Sequence, residues 1–164
     1  MYRRGFTVVE LIIVITIMGI LLLLGVVNVR GTQVNGRDDE RKADIEAIAL
    51  NLETFYSSGT EGSITVGRYP STAIVGQEIT LLRDIDPKSL ATPGAANSSL
   101  VATTNAIQTT AGVLPQPAIS QYVYQPLQTA GTLCTTEAQE CRKFNLYYRL
   151  EGDNTVYLAT SKNQ

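Results

Sequence analysis

Two groups of residues have the types and the spacing to do chemistry. The first lies at the N-terminus, where Arg3 and Arg4 precede Gly5 and Phe6, and Glu10 follows shortly after. A small, flexible glycine lets an extended backbone enter a protease site, whereas a bulkier side chain would crowd that approach. Cleavage of the Gly5–Phe6 bond would give Phe6 a positively charged amine. Glu10 could then pair with such an amine, because each charge would otherwise be stranded in apolar surroundings.

The second group is the cysteine pair Cys134 and Cys141, which lies in a polar segment far from the N-terminus. In the chain-entropy model, a disulfide that closes a loop of about eight residues stabilises a small domain by roughly 2 to 3 kcal/mol. Such bonds persist in oxidising compartments. We predict this disulfide. Two free buried thiols are the alternative, and a redox-active pair is disfavoured because the spacing is not C-x-x-C.

The composition excludes several classes of function. The 164 residues include 13 basic and 15 acidic residues, for a net charge of −2, so no strong signal for nucleic acid is present. The chain has no His, which removes His-dependent triads and His-based zinc sites. A membrane-tethered enzyme or receptor is a remote alternative, because the cysteines lack a His partner and the carboxylates are scattered. We therefore expect no enzyme, no catalytic residue, no cofactor and no metal site.

The segment from Phe6 to Val29 has the composition of a membrane helix. It is uncharged from Leu11 to Val29, and as a helix it would span about 36 Å. The arginines before it predict that the N-terminus stays in the cytoplasm and that the rest of the chain crosses the membrane. A cleaved secretory signal is disfavoured because no A-x-A pattern follows the apolar run. A plain anchor leaves Glu10 unexplained, since a charge in hydrocarbon is costly.

Taken together, the residues from Arg3 to Leu11 resemble the class III signal of type IV prepilins and type II secretion pseudopilins. The resemblance implies that a prepilin peptidase cuts between Gly5 and Phe6 and N-methylates the Phe6 amine. In a bundle of such helices, Glu10 of one subunit would pair with Phe6 of its neighbour and set the axial register. The alternative for Glu10 is an acid that favours the helix dipole and lies in the headgroup layer.

The resemblance also implies an α+β pilin fold, in which one long N-terminal helix, transmembrane in its first half, packs under a small antiparallel sheet. The expected parts are a leader at 1–5, a transmembrane and filament-core helix at 6–29, an amphipathic continuation at 30–58 and a globular head at 59–164. Helical spacing of apolar residues supports the continuation, which Ser57-Ser58-Gly59 ends.

Local patterns make further predictions within the continuation and the head. The charge run at 37–42 is expected to be a solvated face, and the Ala- and Thr-rich stretch at 91–113 an extended surface loop. Strands are predicted at 121–125, at 144–150 and, after a turn at 151–154, at 155–160. These would form an antiparallel meander of three or more strands, with the disulfide stapling the connection between the first two.

The expected function is that of a structural subunit of a type IV pilus, used for adhesion, twitching motility or DNA uptake. The alternative is a pseudopilin of a type II secretion system, and for that alternative calcium is a candidate ligand because major pseudopilins often hold it in a C-terminal loop. The implied partners are other copies of the chain, minor pilins, the prepilin peptidase, the inner membrane, a platform protein and an ATPase. A separate ATPase is needed because the chain has no P-loop motif. We expect a single-pass membrane protein that later enters an extracellular pilus or a periplasmic pseudopilus.

Overall fold

The computed structural model describes residues 5–59 and 66–163. The leader arginines Arg3 and Arg4 lie outside the described residues. The chain divides into two compact units, one that ends at Gly36 and one that begins at Arg37. We call them the N-terminal segment and the head.

Helix α1 runs from Val8 to Ser58, so its first part belongs to the N-terminal segment and the remainder to the head. It ends where the sequence predicts. Gly59 adopts a positive φ of 65° and donates its backbone N–H to the carbonyl of Phe55 at 2.7 Å. A glycine takes this left-handed conformation at little cost, which makes it a common helix terminator.

The head contains a four-stranded mixed sheet in the order β1-β2-β3-β4. The strands are β1 at Leu100–Ala102, β2 at Tyr122–Leu127, β3 at Lys143–Arg149 and β4 at Val156–Thr160. The predicted antiparallel meander is confirmed for β2, β3 and β4, and the short β1 adds a parallel pair with β2. Pro126 is tolerated inside β2 because β1 pairs only with Tyr122 to Tyr124, leaving the proline beyond its end.

One face of the sheet and one stripe of α1 build the main core. The helix contributes buried residues at helical spacing, and alternating residues of β2 and β3 complete the cluster. Its members on these elements are Ile45, Ile48, Leu52, Phe55, Tyr122, Tyr124, Phe144 and Leu146. The part of α1 that lies in the head therefore buries one apolar stripe against the sheet.

The opposite face of the sheet is also covered, which the sequence did not indicate. Val113, Val123 and Tyr147 form a second buried cluster. The prediction of an extended surface loop at 91–113 was wrong in part, because this stretch contains β1 and ends in the fully buried Val113. Polar side chains of this stretch form hydrogen bonds with backbone groups that lie outside the sheet. Thr103 Oγ1, for example, donates to the carbonyl of Leu114 at 2.8 Å.

Three short elements lie between α1 and β1 in the described part of the chain. These are a 3₁₀ turn at Thr72–Ile74, helix α2 at Glu78–Leu81 and a second 3₁₀ turn at Pro87–Leu90. Each 3₁₀ turn starts with a side-chain cap, from Ser71 in the first and Asp86 in the second. Ile74 and Leu90 of the two 3₁₀ turns join the main core, as does Leu82 directly after α2.

Candidate functional site

The predicted cleavage position lies in exposed, non-helical backbone. Gly5, Phe6 and Thr7 precede the first residue of α1, and the side chain of Phe6 is 87% exposed. A Cβ added to Gly5 would meet nothing within 4 Å. The Gly5–Phe6 bond is therefore accessible in this structure. Cleavage at this bond and methylation of Phe6 remain predictions.

Glu10 and Thr7 form a reciprocal cap at the start of α1. One oxygen of Glu10 accepts from the Thr7 backbone N–H at 2.9 Å and from the Thr7 hydroxyl at 2.8 Å. In return, the Glu10 backbone N–H donates to Thr7 Oγ1 at 3.3 Å. This arrangement is a capping box, which satisfies N–H groups that lack a partner within the helix.

The sequence contains a local signal for this cap, which is separate from the pairing predicted for Glu10. Thr7-x-x-Glu10 ahead of an apolar run fits the capping-box pattern. Within a single chain the carboxylate of Glu10 thus already has donors. A pairing of Glu10 with Phe6 of another subunit would have to replace or share these contacts, and it remains a prediction.

The helix surface after Glu10 is apolar and exposed. The stretch from Val8 to Gly25 has a mean hydropathy of 2.8, and none of it is buried. Glu10 is its single charged residue. The hydroxyl of Thr16 donates to the carbonyl of Ile12 at 2.7 Å, so that polar group has a partner in its own helix. By length and composition this stretch can cross a membrane.

A buried ion cluster ties α1 to the turn between β3 and β4 in the head. Both carboxylate oxygens of Asp38 accept backbone N–H groups of the turn, from Glu151 at 2.7 Å and Gly152 at 2.8 Å. Arg41 Nη1 donates to Asp38 at 2.9 Å, and Arg37 binds the Glu151 carboxylate through two hydrogen bonds. The prediction that this charge run is a solvated face was wrong for Asp38 and Arg41, which are 6% and 2% exposed.

The electrostatics of this cluster favour its charged form. Burial alone would raise the pKa of Asp38, but the two turn N–H groups and Arg41 outweigh it, so the pKa is lowered. The hydrogen bonds from Arg37 lower the pKa of Glu151. Asp38 can be buried because the turn supplies donors that water would otherwise supply, and Arg41 can be buried because Asp38 and the carbonyl of Ile119 accept its hydrogen bonds.

The predicted disulfide between Cys134 and Cys141 is present, in the connection between β2 and β3. Its Cα atoms are 5.9 Å apart, which is a usual separation for this bond. Both cysteines also hold the segment that follows α1, because Tyr69 N–H donates to the carbonyl of Cys141 and Thr72 N–H to that of Cys134. The disulfide therefore fixes the sheet connection and this segment together. Among the described residues, no group of three or more metal-ligating side chains lies together.

Comparison with known proteins bears on the N-terminal part of the chain. Residues 1–26 match the family model of the prokaryotic N-terminal methylation motif. No curated protein and no solved structure matches the chain. The matched segment contains Gly5, Phe6, Glu10 and the start of the apolar helix.

This match supports a type IV pilin-like or pseudopilin protein, and the α+β architecture of a long apolar helix with a small mixed sheet is pilin-like. More particularly, the N-terminal motif is the class III signal sequence that type IV pilins and pseudopilins share. This signal implies processing by a prepilin peptidase and use of pilus assembly machinery, and with the apolar helix it suggests membrane anchoring before assembly.

Proposed function

We propose that this protein is a structural subunit of a type IV pilus, which polymerises through its N-terminal helix after cleavage between Gly5 and Phe6. One observation supports this above the others: the apolar surface from Val8 to Gly25 is wholly exposed and carries a single carboxylate, Glu10, next to the predicted new N-terminus. Such a surface is satisfied in a membrane or among other copies of the same helix. The proposed role is structural and not enzymatic.

In the proposed polymer, Glu10 receives the N-methylated amine of Phe6 from the neighbouring subunit. The pair neutralises two charges that apolar helices would otherwise enclose. A buried ion pair adds little net stability, but removing one partner costs roughly 3 to 5 kcal/mol. The pair thus selects the correct axial register more than it strengthens the filament.

Replacement of Glu10 tests this mechanism. Glu10→Val should lower the amount of filament by roughly tenfold or more, while membrane insertion persists because the helix becomes more apolar. Thr16→Val is the matched control, since it also removes a polar group from the apolar stretch but one that bonds its own helix. Filaments at the wild-type level from Glu10→Val would refute the pairing.

Mass spectrometry of the mature chain tests the processing step by itself. The expected product begins at Phe6 and carries one added methyl group on its amine. Retention of Met1, or cleavage beyond the apolar helix, would contradict the proposal whatever the filament assay shows.

A pseudopilin of a type II secretion system is the alternative, because the N-terminal motif is common to both groups. The disulfide between Cys134 and Cys141 favours the pilus subunit, since major pseudopilins commonly lack one. Thermal unfolding of the detergent-solubilised chain, with calcium and with a chelator, distinguishes the two. A pseudopilin should melt higher with calcium, whereas the pilus subunit should melt at the same temperature in both.

A further inference from the structure

The head carries an open groove of about 410 Å³, which is lined wholly by residues of the head. Its lining residues are Tyr56 near the end of α1, Thr129 after β2, Arg142 directly before β3, Lys143 at the start of β3, and Asn163 near the C-terminus. A small number of convergent polar groups beside an aromatic ring is typical of a binding site.

The cations of this groove are not all paired. Glu140 forms ion pairs with two guanidinium groups, those of Arg68 at 2.9 Å and Arg142 at 3.2 Å. Arg142 is also fixed in place, because its Nη1 donates to the carbonyl of Gly67 at 2.7 Å. Lys143 has no ion-pair partner within 5–59 and 66–163, so its ammonium is available to an external anion.

Asn163 has an acceptor to offer. Its Nδ2 donates to Glu53 Oε2 at 2.8 Å and to the Tyr69 hydroxyl at 3.1 Å. A carboxylate only accepts, so the nitrogen of the Asn163 amide must face Glu53. The amide oxygen is left without a partner in the described part of the chain, and it can accept a hydrogen bond from a ligand hydroxyl. Thr129 is exposed and can donate or accept.

A cation at Lys143 beside a hydrogen-bond acceptor at Asn163 favours some anionic ligands over others. A phosphodiester backbone offers acceptors and would satisfy Lys143, but it offers no donor to Asn163. Single-stranded nucleic acid also needs a series of aromatic platforms, whereas this groove has one ring, Tyr56, already packed on Tyr69 at 4.7 Å. An acidic sugar supplies both a carboxylate and donating hydroxyl groups.

We propose that this groove binds a carboxylated saccharide, whose carboxylate pairs with Lys143 and whose hydroxyl groups bond Asn163 and Thr129. Arg142 holds the wall of the groove and adds positive potential. The site belongs to the head alone, so it does not depend on whether Glu10 pairs between subunits.

Calorimetric titration of the mature chain in detergent micelles tests the site, with a galacturonic acid oligosaccharide as the probe and ionic strength held fixed. Lys143→Met keeps the apolar stem and removes the charge, and it should weaken binding about tenfold or more. Thr129→Val should weaken it less. Lys88→Met removes an exposed lysine elsewhere on the head and should leave binding unchanged.

Two further probes separate this proposal from its competitors. The methyl-esterified oligosaccharide lacks the carboxylate charge and should bind at least about tenfold more weakly. The proposal is overturned by the absence of saturable binding, by equal losses in Lys143→Met and Lys88→Met, or by tighter binding of oligothymidylate. Matching thermal melts of the wild type and each variant would assign any loss to the groove and not to unfolding.

Discussion

At the scale of single residues, Asp44 is a carboxyl group enclosed between α1 and the sheet. It is 7% exposed, and the hydroxyl of Tyr122 donates to its Oδ2 at 2.7 Å. Burial raises its pKa from 3.8 to about 6, although the Tyr122 hydrogen bond opposes that shift. Among the charged neighbours, Glu40 and Asp86 raise the pKa and Arg41 lowers it. The folded head therefore stabilises the neutral form of Asp44 relative to its charged form.

Because of Asp44, the stability of the head should depend on pH. Because the folded pKa of Asp44 lies above the unfolded value, the folded state binds more protons between about pH 4 and pH 6. Stability should therefore fall as pH rises through this window, by about 2 kcal/mol, and remain low above it. The chain has no His to obscure the effect. Thermal unfolding of the solubilised chain should occur at a higher temperature at pH 5 than at pH 7.

Asp44→Asn should remove most of this dependence, since an amide cannot ionise and still accepts from Tyr122. Asp84→Asn replaces an exposed carboxylate of the head and should retain the wild-type slope. The same slope in Asp44→Asn as in the wild type would show that another group is responsible. Below about pH 4 the trend should reverse, because Asp38 and Glu151 have lowered pKa values and lose favourable contacts when protonated.

Asp38 supports the second prediction. Asp38→Ala would leave two backbone N–H groups of the turn without their acceptor and would remove the carboxylate nearest to the buried Arg41, so it should lower the free energy of unfolding by about 3 kcal/mol. Asp39→Ala is the matched control on the adjacent residue. Asp39 is exposed and, within the described residues, pairs only with Lys42, so its loss should cost less than about 0.5 kcal/mol. Urea denaturation of both variants measures the difference, and equal costs would contradict the role of the cluster.

At the scale of elements, the disulfide joins the β2–β3 connection to the segment that follows α1. Cys134→Ala with Cys141→Ala should destabilise the head by about 2 to 3 kcal/mol, chiefly because the unfolded chain gains freedom. Urea denaturation of the double variant measures this loss. Lys88→Ala, at an exposed position of the second 3₁₀ turn, serves as a control without a large effect. A double variant as stable as the wild type would mean that the backbone hydrogen bonds of Tyr69 and Thr72 hold this region alone.

The elements also show where sequence patterns suffice and where they do not. The stripe of Ile45, Ile48 and Leu52 has the helical period, and the alternation in β3 has the strand period, so both elements were predictable. The short β1 carries no periodic signal. It forms because β2 is beside it and because residues after it, such as Thr103 and Asn105, supply hydrogen bonds to distant backbone groups.

Candidate sites can be predicted from the sequence when their contacts are local, but not when their polar groups come from distant parts of the chain. The capping box of Thr7 and Glu10 is local and could be found from its spacing. The burial of Asp38 depends on a turn more than a hundred positions later, as the 113-residue separation of its bond to Glu151 shows. No local pattern of charges contains that information. Lys143, which has no ion-pair partner among the described residues, likewise becomes a candidate only when the strand and the C-terminal residues are placed in space.

At the scale of the whole molecule, the question is whether Glu10 serves its own helix or the polymer. If Glu10 only caps α1, then Thr7→Val should reduce assembly at least as much as Glu10→Gln, because Val removes the Thr7 hydroxyl, whereas Gln can still accept from the Thr7 backbone N–H. If Glu10 also pairs with the amine of another copy, Glu10→Gln removes a charge that Thr7→Val leaves in place. We predict that Thr7→Val keeps filament yield within a few fold of the wild type and that Glu10→Gln lowers it roughly tenfold or more.

Electron microscopy and quantification of sheared filaments provide the yields for this comparison. Mass spectrometry of each variant must show processing at Phe6, because both substitutions lie close to the cleavage position. If both variants are fully processed, a yield from Glu10→Gln that equals or exceeds that from Thr7→Val would assign Glu10 to the helix cap alone. The predicted inequality follows from one structural fact: a cap can be replaced by water at an exposed helix end, whereas an amine enclosed among apolar helices has few other partners.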